Sequence, residues 1–151
     1  MIEIERKFLV KGDFLPFVSK KERIVQAYLL ASPEKTMRVR IKGDSAYITI
    51  KGSANINGFS LLEFEYPIPL EDAQQLLQLA PSHRIEKERN YVSFGGHIFE
   101  VDVFQGYHEG LIIAELELES EDEFFEKPDW LGDEVTGDER YYNAYLANQV
   151  N

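Results

Sequence analysis

The sequence contains no cysteine among its 151 residues. It therefore has no disulfide, no thiolate metal ligand and no cysteine nucleophile. No run approaches the ~20 consecutive apolar residues of a membrane-spanning helix. The first ten residues carry charges where a secretory signal would have its apolar core. From these absences we expect a cytoplasmic protein with no membrane partner.

Several common phosphate and metal motifs are also missing. The sequence has neither G-x-x-x-x-G-K-[ST] nor G-x-G-x-x-G, which excludes P-loop and Rossmann phosphate binding. It has no H-E-x-x-H zinc motif either, and no evident pocket for a nucleobase. The histidines, which have no metal-ligand spacing, are expected in surface or turn positions: His83, His97 and His108.

Positive charge is scarce, with 16 basic against 27 acidic residues and a formal net charge of −11. This balance disfavours a nucleic acid or an anionic membrane as the partner. The charge is nevertheless uneven along the chain. Residues 109–139 hold thirteen acids and one base, whereas four bases cluster at Arg38, Arg40, Lys42 and Lys51. The local field therefore matters more than the total.

The chain reads as one domain, residues 1–151, because it shows no repeat, low-complexity run or linker. It is rich in short β-forming segments, with glycines between some of them where hairpin turns belong. Eight strands are predicted, near residues 2–10, 23–31, 36–43, 45–52, 60–68, 84–93, 97–105 and 111–119. Helices are predicted at 13–21, 70–79, 121–126 and 138–146. We therefore expect a mainly β (α+β) fold, a closed eight-stranded antiparallel barrel with flanking helices.

Charged residues alternate with apolar ones in seven of these strands. The sets that share a face are Glu3, Glu5 and Lys7; Arg38, Arg40 and Lys42; Tyr47, Thr49 and Lys51; Glu63 and Glu65; Lys87, Arg89 and Tyr91; Glu100 and Asp102; and Glu115, Glu117 and Glu119. A solvent-facing sheet surface explains any one set. It explains all seven poorly, because the charges are sorted by sign.

Two like charges 4 Å apart repel by about 4 kcal/mol at an effective dielectric constant near 20. Such sorting predicts that ligands of opposite charge lie between the side chains. We therefore expect a charged, water-filled lumen that binds a divalent cation and a polyanion. The apolar faces would then point outward, covered by helices. The residues expected outside are Ile4, Val39, Ile41, Ile48, Ile50, Phe64, Val101, Leu116 and Leu118, and those expected to cover them are Phe14, Phe17, Leu76, Leu77, Tyr142, Tyr145 and Leu146.

The opening E-x-E-x-K resembles the motif of the CYTH family, the triphosphate tunnel metalloenzymes, and small single-domain bacterial members in particular. Further blocks follow in family order: Q-A-Y-L from Gln26, R-V-R from Arg38, T-I-K-G from Thr49, E-F-E from Glu63, K-E-R from Lys87, V-D-V-F from Val101, A-E-L-E-L from Ala114 and V-T-G-D from Val135. The resemblance implies an eight-stranded tunnel that hydrolyses or transforms triphosphates with Mg²⁺ or Mn²⁺.

Carried over residue by residue, the resemblance implies three sets of site residues. The metal set is Glu3, Glu5, Asp102, Glu115 and Glu117. The phosphate-binding set is Lys7, Arg38, Arg40, Lys51, Lys87 and Arg89. The catalytic set is Glu63, Glu65, Lys7 and Tyr28, in which Glu63 and Glu65 would hold a second metal or orient the attacking water. Leu61 stands where the family commonly has an arginine, which puts one phosphate contact in question.

The favoured function is metal-dependent hydrolysis of inorganic tripolyphosphate to pyrophosphate and phosphate. Two alternatives on the same scaffold stay open, a class IV adenylyl cyclase and a thiamine or nucleoside triphosphatase. A non-catalytic polyphosphate-binding module is the third. The partner is expected to be a small-molecule triphosphate, and the protein a monomer or a homodimer.

Overall fold

Nine strands and two α-helices lie within residues 4–53 and 61–148, the part of the chain that the computed structural model describes. The strands are β1 (Ile4–Val10), β2 (Val18–Ala31), β3 (Lys35–Lys42), β4 (Ser45–Ser53), β5 (Leu61–Ile68), β6 (Ile85–Phe94), β7 (His97–Gln105), β8 (Ile112–Leu118) and β9 (Leu131–Glu134). The helices are α1 (Leu70–Leu79) and α2 (Asn143–Asn148), with 3-10 helices at Leu15–Phe17, Gly106–His108 and Glu139–Tyr141. In the described ranges, no helix has the length and apolar character needed to cross a membrane.

The strands form a single antiparallel sheet in the order β5-β4-β3-β2-β6-β7-β8-β1-β9. Side chains of β1 and β5, which are far apart in this order, line one cavity together with side chains from every strand between β1 and β8 in sequence. The sheet therefore curls around a central tunnel, which confirms the mainly antiparallel fold class. Within the described residues, β5 and β9 end the hydrogen-bonded ladder, so the barrel is not closed by strand pairing.

Three local predictions were wrong. The segment 13–21 is not a helix: a 3-10 turn at Leu15–Phe17 leads directly into β2, whose first residue Val18 pairs with Val92 of β6. The segment 121–126 is turn and irregular backbone instead of a helix. The ninth strand, β9, was not predicted, because a run of Leu131, Gly132, Asp133 and Glu134 has little β-propensity and becomes a strand only by pairing with β1.

Two clusters of buried residues cover the outside of the sheet. Helix α1 packs Ala73 and Leu77 onto Val39 of β3, as predicted. The other cluster lies over β1, β6, β7 and β8, where Phe125 and Trp130 come from the chain between β8 and β9. Coverage is incomplete at the edge strand β5, where Phe64 is 47% exposed although it was expected to be covered.

A third cluster closes one end of the tunnel from inside. Ile85, Phe104 and Ile113 each lie two residues from a charged residue of the inner face, Lys87, Asp102 and Glu115 respectively, so they share that face. Leu146 and Ala147 of α2 pack against them, so Leu146 lies at the inner face and not over the outside of the sheet, where it was expected. The inner face of the sheet is therefore apolar at this end and charged in the middle, which confines the polar cavity to the middle of the tunnel.

Candidate active site

A cavity of about 310 Å³ lies in the tunnel. Its lining comes from eight strands, β1 to β8, and from the chain just before and at the start of α2. The lining residues are Glu5, Lys7, Tyr28, Thr36, Arg38, Arg40, Thr49, Lys51, Glu63, Glu65, Arg89, Glu100, Glu115, Glu117, Tyr142 and Asn143. No residue of this lining is aliphatic.

Eleven of the side chains singled out from the sequence meet in this cavity: Glu5, Lys7, Tyr28, Arg38, Arg40, Lys51, Glu63, Glu65, Arg89, Glu115 and Glu117. Glu3 lies outside the described residues. Lys87 and Asp102 do not line the cavity. Sequence reasoning did not assign a site role to Thr36, Tyr142 or Asn143, and it had placed Tyr142 on the outer surface.

Carboxylates form one wall of the cavity, on the adjacent strands β7, β8 and β1. Glu5 pairs directly with Glu117 across β1 and β8, and Glu100 pairs with Glu115 across β7 and β8. Glu115 and Glu117 are two residues apart, so all four side chains point to the same face. We call these four residues the acidic wall.

Burial raises the pKa of Glu100, and the charges of Glu115 and Asp102 raise it further against the opposing effect of Arg89. Burial also acts to raise the pKa of Glu115. There the charges of Lys7, whose Nζ lies 3.6 Å from Oε1, and of Lys87 outweigh it and hold the pKa below its ordinary value. The acidic wall is therefore a place where a further positive charge would be stabilising.

The chemistry of the acidic wall fits a hard divalent cation, which prefers carboxylate oxygens and retains several waters. In the structure as described, no three histidine, aspartate or glutamate side chains are already arranged as metal ligands. Glu3 lies outside the described residues, so this statement does not extend to it. Residues of the right type are thus adjacent, although their oxygens do not converge on one point.

Basic side chains reach the cavity from β3, β4 and β6, next to Glu63 and Glu65 of β5. Arg38 and Arg40 come from β3, Lys51 from β4 and Arg89 from β6. Burial lowers the pKa of Arg40 to about 9, with further lowering by the charges of Arg38 and Arg89. Three guanidinium groups close enough to repel one another form a site for a multiply charged anion. Together with Lys51 they are the basic wall.

Thr49 connects the basic wall to a carboxylate. Its Oγ1 accepts a hydrogen bond from Arg38 Nη2 at 3.3 Å and donates one to Glu65 Oε2 at 3.0 Å. The three residues are successive cross-strand partners, Arg38 opposite Thr49 and Thr49 opposite Glu65. The hydroxyl therefore fixes the positions of an arginine and a glutamate that both face the cavity.

Lys87 and Asp102 form a buried ion pair beside the cavity instead of lining it. Lys87 Nζ lies 2.7 Å from Asp102 Oδ2 and donates to Asn143 Oδ1 at 3.2 Å. Both residues are 1% exposed or less. Asp102 also accepts two hydrogen bonds from Arg89, at 2.8 and 2.9 Å. The carboxylate predicted as a metal ligand thus binds two cationic side chains and holds Arg89 in place.

The pKa values of this pair reflect their burial. Burial lowers the pKa of Lys87 to about 8, although Asp102 opposes the effect. For Asp102, burial would raise the pKa, but Lys87 and Arg89 outweigh it and hold the pKa well below its ordinary value. Asp102 is therefore ionised at neutral pH and compensates the charges of its two partners.

The segment before α2 brings two side chains to the tunnel. The helix predicted at 138–146 is divided in two: Asp138 caps a 3-10 helix at Glu139–Tyr141 by accepting a hydrogen bond from the Arg140 backbone N–H, and α2 begins only at Asn143. The chain then places Tyr142 and Asn143 in the cavity lining. Lys7 Nζ lies 5.2 Å from the centre of the Tyr142 ring, within the range of a cation–π contact.

Comparisons with known proteins agree on one family. The model of the CYTH domain matches residues 1–143. An inorganic triphosphatase of Acetivibrio thermocellus is 46% identical over 146 residues, which is 96% of this chain and 92% of that protein. An inorganic triphosphatase of Nitrosomonas europaea is 36% identical over 154 aligned positions, covering 99% of both chains. The crystal structure of the inorganic triphosphatase NE1496 is 33% identical and superposes with a TM-score of 0.75 over 99% of this chain and 97% of that one.

Proposed function

The chain belongs to the CYTH domain family, and we propose that it is a divalent-metal-dependent triphosphatase that hydrolyses inorganic tripolyphosphate. The observation that carries this proposal is one cavity that brings carboxylates of β1, β7 and β8 together with guanidinium and ammonium groups of β3, β4 and β6. A triphosphate with its bound cation has the matching distribution of charge. The two relatives named inorganic triphosphatase support this choice of substrate.

In the proposed site, Glu5, Glu115 and Glu117 hold the cation, together with Glu3 from outside the described residues. Mg²⁺ and Mn²⁺ both accept such carboxylate oxygens. When bound, the cation supplies charge neutralisation for the phosphate oxygens. We leave Asp102 out of this set, because its oxygens form an ion pair with Lys87 and hydrogen bonds with Arg89.

Arg38, Arg40, Lys51 and Arg89 bind the phosphate oxygens, together with Lys7, which lies beside Glu115 of the acidic wall. Arginine suits this task because its planar fork grips two oxygens at once. Lys87 acts on the phosphate indirectly, since it neutralises part of the charge of Asp102, which orients Arg89. Fixed positive groups that face the developing negative charge lower the barrier without reorganisation during the reaction.

The reaction is an in-line displacement at a terminal phosphorus. A water oxygen bonds to the phosphorus while the bond from that phosphorus to the bridging oxygen breaks, and pyrophosphate leaves with the bonding pair. Orthophosphate is the second product, and the water releases its protons. Glu63, Glu65, Tyr28 and Lys7 are the groups we assign to orienting the water and accepting or supplying a proton. Glu65 is suited to this because Thr49 holds it in a fixed position.

A substrate panel tests the proposal. Purified protein is incubated with tripolyphosphate, ATP or thiamine triphosphate, each with Mg²⁺, Mn²⁺ or EDTA, and orthophosphate, pyrophosphate and cyclic AMP are measured. We expect equal amounts of orthophosphate and pyrophosphate from tripolyphosphate, little from the other two substrates and none with EDTA.

Other outcomes identify the alternatives. Cyclic AMP with pyrophosphate from ATP would make the protein an adenylyl cyclase. Faster hydrolysis of thiamine triphosphate or ATP than of tripolyphosphate would make it an organic triphosphatase. Tight binding of tripolyphosphate without product, at every metal concentration, would make it a binding module. The double variant Arg38→Gln, Arg40→Gln serves as the control, because it removes half of the basic wall and should lose binding.

A further inference from the structure

Gln26 lies directly opposite Arg40 in the antiparallel pair of β2 and β3. Its Oε1 accepts a hydrogen bond from Arg40 Nε at 2.6 Å. The Gln26 residue is 0% exposed and does not line the cavity, whereas Arg40 does. Gln26 thus contacts Arg40 from the neighbouring strand on the same inner face of the sheet, but it is buried and does not itself line the cavity.

The position of this bond on the guanidinium group matters. Arginine carries five N–H donors, of which Nε supplies one and the two terminal Nη groups supply four. A partner at Nε fixes the plane and direction of the group and leaves the Nη groups for a ligand. Because Nε only donates, the oxygen of the Gln26 amide must be the atom that faces it.

Arg89 shows the contrasting arrangement in the same cavity. Its guanidinium is bound by both oxygens of Asp102, through Nε at 2.8 Å and Nη2 at 2.9 Å, and Nη1 contacts Glu100 at 3.2 Å. The charge of Arg89 is therefore largely compensated within the protein. Gln26 gives Arg40 a fixed orientation without adding a negative charge. Among the described residues no ion pair to a carboxylate is formed by Arg40, and the charges of Arg38 and Arg89 act on it more strongly than that of Asp102.

The other end of the Gln26 amide is unsatisfied. Among the described residues its Nε2 is buried with no hydrogen-bond partner. A buried donor without a partner is unfavourable for folding. The side chain therefore does not complete a polar network of the core, and its contact with Arg40 is the interaction that distinguishes it from an apolar residue of the same length.

We propose that Gln26 is a positioning residue that aims the Arg40 guanidinium at the phosphate chain while leaving its charge uncompensated. The proposal rests on the function proposed above, because it assumes that Arg40 binds a phosphate. Gln26 contributes two properties, an acceptor oxygen and the absence of charge. A different substitution removes each one.

Gln26→Met keeps the length of the side chain and removes the acceptor. We expect kcat/KM for tripolyphosphate to fall about tenfold, mainly through KM. Gln26→Glu keeps an acceptor at the same place and adds a negative charge. We expect it to raise the Kd for tripolyphosphate and to make that Kd less dependent on salt, because one positive charge of the basic wall is then compensated.

The decisive measurement is a double-mutant cycle with Arg40→Lys. Lysine keeps the charge but has no planar fork for Gln26 to aim, so Gln26→Met should have a much smaller effect in that background. The matched control is Gln74→Met, because Gln74 is exposed on α1. It should leave kcat, KM and the tripolyphosphate Kd unchanged. Circular dichroism and melting curves establish that each variant is folded, and Gln26→Leu, which also lacks the acceptor, takes the place of Gln26→Met in the cycle if the latter does not fold.

The proposal is overturned if Gln26→Met keeps activity within twofold of wild type, or if its loss is equally large in the Arg40→Lys background. It is also overturned if Gln26→Glu binds tripolyphosphate as tightly as wild type with the same salt dependence. Calorimetric titration with tripolyphosphate measures binding independently of turnover. It therefore distinguishes failure of the Gln26 proposal from failure of the proposed function. A wild-type protein that binds without turnover refutes the hydrolase, whereas the Gln26 effects on Kd are still measured.

Discussion

Glu5 of β1 lies directly opposite Glu117 of β8 in the antiparallel register, and both line the same cavity as Glu115. A carboxylate facing a carboxylate across two strands is unfavourable without a cation, and like charges directly opposite destabilise a sheet. We therefore expect this pairing to become more favourable when a cation binds in the cavity.

Replacing Glu117 by Gln should abolish activity and leave the fold intact. The substitution removes one cation ligand and also one of the two facing charges. We expect phosphate release to fall by roughly a hundredfold or more, and the melting temperature to hold or rise. Glu71→Gln on the exposed surface of α1 is the matched control and should change neither quantity. A sharp drop in melting temperature for Glu117→Gln would mean that the carboxylate has a structural role instead.

Asp102→Asn should be strongly destabilising. The carboxylate compensates two buried cations, with Lys87 Nζ at 2.7 Å and Arg89 Nε at 2.8 Å. Removing one partner of a buried ion pair leaves an uncompensated charge and costs about 3–5 kcal/mol. Urea denaturation at pH 7 measures the change in the free energy of unfolding. A loss below about 1 kcal/mol would show that Lys87 and Arg89 find other partners or water.

Thr49→Val tests the hydrogen bonds between Arg38 and Glu65. Valine has the same shape as threonine, but it neither accepts from Arg38 Nη2 nor donates to Glu65 Oε2. Each bond involves a charged partner, for which a loss of about 1.5 kcal/mol is typical, so we expect kcat/KM to fall roughly tenfold. Steady-state kinetics with tripolyphosphate give the number. Unchanged kinetics would mean that Arg38 and Glu65 need no bridge.

The Arg6–Glu134 contact should contribute a pH-dependent part of stability. Arg6 Nε donates to Glu134 Oε2 at 2.8 Å and joins β1 to β9. The hydrogen bond from Arg6 lowers the pKa of Glu134 from 4.5 to about 2, against the smaller opposing effect of burial. Since the folded pKa is the lower one, the contribution is complete above pH 4.5 and is lost as the pH falls towards 2.

We therefore expect wild type to be more stable than Glu134→Gln at pH 7 and the difference to shrink between pH 4.5 and 2. Urea denaturation of both proteins at several pH values measures it. Arg6→Met is the control, because without the guanidinium the pKa of Glu134 returns towards its ordinary value and the pH-dependent part becomes much smaller, with only the effects of Thr136 and Lys127 left. A difference that stays constant from pH 7 to pH 2 would contradict this account.

Much of the tunnel could be predicted because strand alternation has a fixed period of two. Arg38 and Arg40, or Glu115 and Glu117, must share a face in any regular strand, whatever surrounds it. The alternation does not show how far along the tunnel each side chain lies. Lys87 shares a face with Arg89 but lies beside the buried end of the lumen, where it meets Asp102 and Asn143. Their exact contacts depend on packing between strands distant in sequence.

The parts of the fold that were predicted wrongly also depend on contacts between residues that are distant in sequence. Gly132 interrupts β-propensity in β9, yet a Cβ at that position would lie 2.8 Å from the Leu9 carbonyl oxygen, so glycine is what allows β9 to approach β1. The start of β2 is set by its pairing with β6 rather than by the apolar spacing of Phe14 and Phe17. Tyr142 was assigned to the outside because helical spacing alone does not show that the chain turns into the tunnel before α2.

The central claim is that one cavity binds a cation on its acidic wall and a triphosphate on its basic wall. The most direct measurement is a crystal structure of the protein with Mn²⁺ and tripolyphosphate, with Glu65→Gln used to slow turnover, and anomalous diffraction to locate manganese. We expect a manganese peak among Glu5, Glu115 and Glu117, and phosphate density in contact with Arg38 and Arg40. Manganese and phosphate bound on the outer surface, with the tunnel unchanged, would contradict the account.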